Sequence, residues 1–406
     1  MSTGPFGSAI SSRYFVDSGV PVIRGGNLSQ DVGTRLNHED LVFITEDKAG
    51  EFERSTVKRG DLVFTCWGTI DQVGLIDERS HYEEYVISNK QMKMTPDPTI
   101  ADSRFLYYQF SSPKIKGWII DNGIGSSVPG FNLGMLKSIE LNIPPLPEQK
   151  AIAHILGTFD DKIELNRKTN EALEAMARAL FKSWFVDFNP VRAKAEGRST
   201  GLPAEISDLF PDSFEDSELG EIPSGWQVSS LGKVIELAYG KPLKEEQRKG
   251  GNYPVFGSNG VVGSHDEYLV EAPGIVVGRK GNPGTVEWSG MNFHPIDTTF
   301  FVVNKMKGLG MRFLFYCLKN QNLADLSADS AVPGLNRNHA YMNNQLLPPI
   351  DVASAFERHL EVIFKRKEFL ADEINALSAI RDALLTKLIS GEIRIPDAEE
   401  LLASVL

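Results

Sequence analysis

The chain has 406 residues, 41% hydrophobic and 24% charged, a balance typical of a globular protein and incompatible with collagen-like or mostly disordered chains. Its net charge of −12 argues against a uniformly basic nucleic-acid binder, but the acids concentrate in 196–221 and 392–406 and leave the remainder nearly neutral. Cys66 and Cys317 are far apart, no apolar run reaches the roughly 18–20 residues of a membrane span, and the N-terminus lacks a signal-peptide core. These features predict a cytoplasmic protein of two or three domains without disulfides or a cysteine-based zinc site.

An internal repeat organises the chain. Val128-Pro129-Gly130 recurs as Val332-Pro333-Gly334, and Pro144-Pro145 as Pro348-Pro349, both 204 residues later. Arg104-Phe105-Leu106 recurs 208 residues later as Arg312-Phe313-Leu314. The repeat is far longer than a solenoid unit, so we interpret it as a duplicated domain whose front varies in length and whose back does not.

The first front, 1–145, has mixed strand and helix signals. A strand is predicted at 62–65 and a short helix at 104–110. The second front has a predicted opening strand at 228–238, and Gly4 aligns with Gly240, so we expect about fifteen residues, including that strand, to be missing from the first copy.

A long helix is predicted over 146–188, after Pro147. Apolar residues recur there at alternating three- and four-residue spacing, as in a coiled-coil seam. Residues 189–224 are rich in proline, glycine, serine and acids, and are predicted to form a surface linker with some local order.

The second front, 225–348, has predicted strands at 275–277 and 299–303 and a short helix at 311–318. A second long helix is predicted over 349–392 and an acidic tail over 393–406.

Both long helices carry an apolar seam of this spacing. The seam either pairs the two helices with each other or packs each of them on a separate core. Its apolar positions are Ile152, Leu156, Phe159, Ile163, Leu173, Leu180, Trp184, Phe356, Leu360, Ile363, Leu370, Ile374, Leu377, Leu384 and Leu388. Its polar interruptions, which could fix register or lie at solvated ends, are Asn166, Asn170, Lys367 and Arg381.

Catalytic signatures are missing from the sequence. It contains no GxxxxGK[ST] phosphate loop, no GxGxxG, no HExxH and no GxSxG, and its seven histidines do not cluster at metal-ligand spacing. We therefore predict a chain that is not an enzyme and binds no metal or cofactor.

Three segments together resemble the specificity subunits of type I restriction-modification systems. They are Leu141-Asn142-Ile143-Pro144-Pro145-Leu146-Pro147-Glu148-Gln149 with the helix that ends Ser183-Trp184-Phe185-Val186-Asp187-Phe188, the segment from Pro211-Asp212-Ser213-Phe214 to Leu219-Gly220-Glu221-Ile222-Pro223-Ser224-Gly225-Trp226, and the ending Leu384-Leu385-Thr386-Lys387-Leu388-Ile389-Ser390-Gly391-Glu392-Ile393. The resemblance covers essentially the whole chain. Copy two departs from it by having Asp351-Val352-Ala353 in place of Pro147-Glu148-Gln149.

The resemblance implies an α+β fold with two pseudo-symmetric target-recognition domains and two long helices in an antiparallel coiled coil that spaces the domains. It implies a non-catalytic subunit that recognises a bipartite site on double-stranded DNA and directs adenine methylation and restriction. Two modification subunits, which use S-adenosylmethionine, and two restriction subunits, which use ATP and Mg, would be its partners; the chain itself would bind none of these cofactors.

Residues that contact DNA are predicted from side-chain chemistry, because Arg, Lys, Asn, Gln and Ser in loops supply suitable donors and acceptors. The candidates are Arg24, Asn27, Lys90, Gln91, Asn132, Lys244, Ser258, Asn259, Arg279, Lys280, Asn336 and Arg337. The alternative function is a protein-interaction scaffold with two β-rich domains on a coiled coil, which the acidic net charge favours slightly; an enzyme with an unrecognised site is a third reading.

Overall fold

The computed structural model describes residues 1–125, 128–326 and 334–405. They form two compact units: unit 1 comprises 1–167 and 372–406, and unit 2 comprises 168–371. Each unit therefore combines one front with one half of each long helix. Within the described ranges, no helix is long and apolar enough to cross a membrane.

Unit 1 contains two four-stranded sheets and several short helices. Its elements are β1 (Ser2–Thr3), β2 (Val20–Ile23), β3 (Val42–Ile44), α1 (Glu46–Gly50), β4 (Thr56–Lys58), β5 (Leu62–Thr65), β6 (Val73–Leu75), β7 (Glu84–Ile87), β8 (Gln91–Met94), α2 (Ser103–Ser111), α3 (Pro113–Asp121), α4 (Leu133–Ser138) and the first part of α5 (Leu146–Phe185). The strand orders are β1-β8-β5-β6 and β3-β2-β7-β4. The predicted strand at 62–65 and helix at 104–110 are present as β5 and α2.

Unit 2 repeats this plan with additions. Its elements are α6 (Asn189–Ala195), α7 (Ala204–Ser207), β9 (Phe214–Ser217), β10 (Gly220–Pro223), β11 (Gln227–Ser230), α8 (Leu231–Val234), β12 (Ile235–Tyr239), β13 (Tyr253–Gly257), β14 (Gly260–His265), β15 (Gly274–Gly278), β16 (Val286–Ser289), β17 (His294–Pro295), β18 (Thr299–Asn304), α9 (Met311–Lys319), α10 (Arg337–Met342), β19 (Asn344–Leu347) and the first part of α11 (Ile350–Ser390). A final helix, α12 (Ile395–Val405), returns to unit 1.

The main sheet of unit 2 has the order β12-β18-β15-β16, the counterpart of β1-β8-β5-β6. The strand predicted at 228–238 is two strands, because β11 pairs with β19 while β12 pairs with β18, and the one-turn helix α8 moves the chain between these sheets. In unit 1, β1 has two residues where β12 has five, and residues 140–143, which match β19, form no strand.

Two segments are more ordered than their composition predicts. Residues 189–224, predicted as a surface linker, form two helices and a β9–β10 hairpin, and bury Val191, Phe210 and Ile222 in the core of unit 2. The predicted acidic tail forms α12, and buries Ala398 in the core of unit 1. In both segments a few apolar residues supply enough buried surface to order a mostly polar chain.

The two long helices pair in an antiparallel manner within each unit, as predicted. In unit 1, Asn166 donates to Glu373 at 2.9 Å and Asp160 accepts from Arg381 at 2.9 Å. In unit 2, Lys367 donates to Glu174 at 2.5 Å, and the ring of Trp184 lies 5.8 Å from that of Phe356. Higher numbers on α5 therefore meet lower numbers on α11 in both units.

The seam positions are buried to two different degrees. Most are fully buried: Ile152, Leu156, Phe159, Ile163, Trp184, Phe356, Leu360, Leu370, Leu377, Leu384 and Leu388. Leu173, Leu180, Ile363 and Ile374 are partly buried. Asn166 and Arg381 are buried polar residues, whereas Asn170 and Lys367 are only partly buried.

A buried ionic network surrounds Asp160 in unit 1. Its carboxylate accepts from Arg381, from Arg35 at 3.3 Å and from the hydroxyl of Tyr108, while Arg35 also pairs with Asp77. Burial and the adjacent Asp160 raise the pKa of Tyr108 well above its ordinary value, so its hydroxyl stays protonated and donates. The network ties both helices to the loop that carries Arg35.

Candidate nucleic-acid interface

The main sheets of the two units have the same register, which defines equivalent positions. Phe64 of β5 lies opposite Met92, as Val277 of β15 lies opposite Phe300. Counting forward from Phe64 and Val277 makes position 66 equivalent to 279 and position 67 equivalent to 280.

The backbone after these strands is held in the same way in both units. The amide of Phe131 donates to the carbonyl of Cys66 at 2.8 Å, and that of Leu335 donates to the carbonyl of Arg279 at 2.9 Å. Asn132 and Asn336 then cap α4 and α10, accepting from the amides of Met135 and Asn338 respectively. The side chains at these ends of the sheets therefore occupy matching places on the fold.

Unit 2 brings two predicted arginines together on one aromatic ring. The guanidinium carbons of Arg279 and Arg337 lie 4.8 Å and 4.6 Å from the ring centroid of Tyr239. Tyr239 is 48% exposed, and Arg279 also lies 5.9 Å from the ring of Phe300. Such contacts hold a guanidinium in place while leaving N–H groups for another partner.

Backbone carbonyls fix the two arginines further. Arg279 donates to the carbonyl of Asp297 at 3.0 Å, and Arg337 donates to that of Leu237 at 3.3 Å. A guanidinium has five N–H donors, so each of these contacts leaves others available. Beside Arg279, Lys280 is exposed and its backbone bridges to Gly334. The cluster is a cationic surface whose two guanidinium groups are held by ring and carbonyl contacts, and it is suited to phosphate or guanine.

The remaining candidates of unit 2 are more scattered. Ser258 and Asn259 lie in the turn between β13 and β14, where Ser258 accepts from Thr285 through its carbonyl oxygen and Asn259 is exposed. Asn336 is exposed but uses its side-chain oxygen to cap α10. Lys244 is exposed and lies 3.9 Å from Glu246, a surface contact of little energetic weight.

Unit 1 has a cleft of about 630 Å³ at the corresponding end of its sheet. Arg24 and Lys90, both predicted, line it together with Trp67, Asn89 and Gln72, which were not predicted. The terminal guanidinium of Arg24 donates to the carbonyl of Asp40 at 2.7 Å, while its Nε atom is buried with no hydrogen-bond partner among the described residues. The cleft thus combines cations, amides and an indole.

Two candidates of unit 1 are internal supports rather than surface groups. Asn27 is buried; its oxygen accepts from the amide of Arg24, and its nitrogen donates to the carbonyls of Asn37 and Glu39. Gln91 is fully buried and accepts from Ser88. Their chemistry suits base recognition, but burial leaves neither side chain at the surface. Asn132 is exposed and caps α4.

Groups for covalent or metal chemistry are poorly placed in the described residues. Burial raises the pKa of the Cys66 thiol to about 12, and Cys317 is buried as well, so both thiols are protonated at neutral pH. No group of three or more His, Cys, Asp or Glu side chains in those ranges is arranged to hold a metal ion.

Comparison with known proteins gives one family. The model of the type I restriction modification DNA specificity domain matches residues 8–175 and 223–338, more than half of the chain. The chain is similar to the type I restriction enzyme HindI specificity subunit of Haemophilus influenzae, with 26% identity over 94% of this chain and 96% of that protein.

Two further similarities agree with that match. The MjaIX specificity subunit of Methanocaldococcus jannaschii is 25% identical over 73% of this chain and 70% of that protein. Among solved structures, a type I restriction-modification system S subunit from M. genitalium superposes with a TM-score of 0.55 at 18% identity, covering 95% of this chain and 92% of that one. The structural match supports the fold with two domains and paired helices.

Proposed function

Because this chain belongs to the type I restriction modification DNA specificity family, we propose that it is the DNA specificity subunit of such a complex. It recognises a bipartite site on double-stranded DNA, with unit 1 reading one half and unit 2 the other. It is not catalytic, and directs adenine methylation and restriction by its partners, two modification subunits and two restriction subunits. S-adenosylmethionine, ATP and Mg are used by those partners, and this chain binds none of them.

The observation that carries the proposal is that equivalent ends of one duplicated sheet have different contact chemistry. Unit 2 has Arg279 and Lys280 where unit 1 has Cys66 and Trp67. Two domains that recognise different half-sites need the same backbone geometry with different side chains, because base identity is recognised by side chains in the grooves.

The unit 2 cluster suits direct recognition of DNA. A guanidinium can donate two parallel hydrogen bonds to the O6 and N7 atoms of guanine or to a phosphate. Tyr239 and the carbonyls of Leu237 and Asp297 restrict both guanidinium groups before DNA arrives. Prior restriction lowers the entropy lost on binding, and so increases affinity.

The acidic net charge is compatible with this function. Phosphate attraction depends on local positive charge at the contact surface, and the two units present Arg24 and Lys90 in one place and Arg279, Lys280 and Arg337 in another. Joining both readers in one chain raises the effective concentration of the second half-site once the first is bound.

Methylome sequencing of cells with and without this chain tests the proposal. We expect a bipartite motif containing methyladenine that disappears when the chain is deleted. Replacing residues 240–340 with the equivalent segment of a relative should change one half of the motif and keep the other. An unchanged methylome after deletion would reject the DNA specificity function, and would leave the protein-interaction scaffold as the better explanation.

A further inference from the structure

Trp67 is an exposed aromatic residue in a cleft that also contains the cations Arg24 and Lys90. Its side chain is 50% exposed, whereas Trp184 and Trp226 are buried and Trp118 and Trp288 are partly buried. Exposing so large an apolar ring forgoes the free energy that burial would supply, so a ligand that covers the ring gains that free energy on binding.

The backbone around Trp67 holds its ring at the cleft. The residue bridges to Gly130, and the amide of Gly68 donates to the carbonyl of Pro129 at 3.0 Å. A β-carbon at position 130 would lie 2.7 Å from Cζ3 of the indole, so the ring packs against a backbone that only glycine leaves open. The contact supports the ring from Gly130, while half of its surface stays exposed.

The groups around the ring are complementary to the phosphate and base of a nucleotide. Arg24 and Lys90 supply positive charge for phosphate. The amide nitrogen of Asn89 donates to the carbonyl of Gly7 at 3.0 Å, and its side-chain oxygen could accept from a base edge. A β-carbon added at Gly26 would meet no atom within 4 Å, so the cleft is open beside that glycine. Aromatic rings beside such groups bind bases by stacking, or enter between base pairs as wedges. Ile10, Phe15 and Val22 also line the cleft, but the two cations beside the indole favour a ligand that carries phosphate over an apolar protein surface.

We propose that Trp67 contacts a base of the unit 1 half-site by stacking, so that unit 1 binds its half-site with an indole at the place where unit 2 has Arg279 and Lys280. This inference rests on the proposed function, and names a residue and a kind of contact that strengthen the binding of unit 1 to its half-site. The cations of the cleft, Arg24 and Lys90, hold the phosphates that flank this base.

The test uses the full chain with its partner subunits and a duplex of about 30 base pairs that carries the motif found by methylome sequencing. Trp67→Ala should weaken binding between about five-fold and a hundred-fold, the range for loss of one stacked base. Scrambling either half-site should still weaken binding by the variant, because stacking is insensitive to base identity and other side chains read the base edges. Trp67→Phe, which keeps an aromatic ring, should bind within about two-fold of the unaltered protein.

Two controls keep the result interpretable. Trp67→Leu keeps an apolar side chain against Gly130 without a π face, so it should lose affinity as Trp67→Ala does even though the loop stays packed. Ile100→Ala removes another exposed apolar side chain of unit 1, outside the cleft, and should leave affinity unchanged.

The outcomes separate the two proposals. No binding by the unaltered complex to any duplex would reject the proposed function itself. If the unaltered complex binds DNA and the Trp67→Ala or Trp67→Leu variant binds with the same affinity, only the stacking contact is rejected. DNA-dependent quenching of indole fluorescence that is as large in Trp67→Phe as in the unaltered complex would also reject it, because Trp67 would then contribute nothing to the quenching.

Discussion

Position 160 on α5 and position 364 on α11 are 204 residues apart and equivalent in the duplicated helices, yet one is a buried aspartate and the other a buried phenylalanine. The residue that pairs with Asp160 differs in the same way. Arg381 on α11 is the partner of Asp160, and the residue 204 positions before Arg381 is Ala177 on α5. In unit 2, Phe364 packs among Trp288, Phe315 and Tyr316, with ring centroids 4.8, 6.1 and 6.2 Å away.

The difference shows that one helix geometry accepts two kinds of interior. An aromatic cluster gains stability from buried area and tolerates apolar substitutions that nearly conserve volume. A buried ion pair gains little net stability, but removing one partner leaves the other charge buried without compensation. The unit 1 pairing should therefore be the less tolerant of substitution, and the following changes test this from the largest expected effect to the smallest.

Asp160→Ala should destabilise unit 1 by about 3–5 kcal/mol, because it leaves Arg35 and Arg381 buried without their shared carboxylate. Hydrogen exchange of peptides from 1–167 and 372–406 measures this, with peptides from 168–371 as an internal reference. The neighbouring exposed Asp161, which pairs with Arg79, is the matched control, and Asp161→Ala should cost about 0–1 kcal/mol. Equal effects of the two variants would mean that burial of Asp160 has no energetic role.

Phe364→Leu should destabilise unit 2 by only about 1–2 kcal/mol, since leucine can refill part of the aromatic cluster. The same exchange experiment measures it, with peptides from 168–371 as the reporters. Phe369→Leu, on an exposed part of the same helix, should change stability by less than about 0.5 kcal/mol. A cost for Phe364→Leu as large as that of Asp160→Ala would remove the proposed difference in tolerance.

Unit 1 should lose stability as the pH falls from about 6.5 to about 4. Burial and the stacked His81 lower the pKa of His38 to about 4 in the folded chain, so the unfolded chain binds more protons across this range. Because the ring is partly exposed, we expect a loss of about 1 kcal/mol. The Nε2 atom of His38 accepts from the amide of His81 and lies 3.1 Å from the hydroxyl of Tyr85; protonation of Nε2 would abolish the bond from His81, because it would set two N–H donors against each other.

His38→Gln identifies the source of this pH dependence. Exchange rates of unit 1 peptides should depend less on pH in the variant than in the unaltered chain. Unit 2 has its own histidine with a lowered pKa, His294, which is partly buried beside His265, so acid should also affect its peptides in both proteins. An unchanged acid response of unit 1 in His38→Gln would assign the effect to other groups.

Tyr239→Ala should reduce DNA affinity about two- to five-fold, because it removes the ring under Arg279 and Arg337 and costs about 0.5–1 kcal/mol. Tyr239→Phe keeps the ring and should bind normally. Thr3→Ala alters the equivalent position in unit 1, where no arginine pair stacks on the side chain, and should also bind normally. The affinity of the intact complex for DNA that carries the methylated motif is measured for all three variants. If Tyr239→Phe lost as much affinity as Tyr239→Ala, the hydroxyl and not the ring would be responsible.

The local sequence pattern was enough to predict the two long helices and some residues of the candidate DNA-binding site. The three- and four-residue spacing of apolar side chains predicts α5 and α11, and their constant offset follows from a duplication of equal-length segments. Arg279 and Lys280 could be proposed because they follow a strand within a glycine-containing turn. Trp67 gives the same signal after β5, but an aromatic residue there is usually taken to be core.

The sequence by itself determined the two long helices and the kind of side chain available at each turn, since these depend on neighbours a few residues apart, and motifs repeated at a constant offset revealed the duplication. Only the tertiary structure decided that Tyr239 lies under Arg279 and Arg337, that Asn27 and Gln91 are buried, and that Trp67 is exposed. Asp160 likewise meets Arg381 across 221 positions of the chain. Burial and partner are set by contacts between residues distant in sequence, and no local periodicity records them.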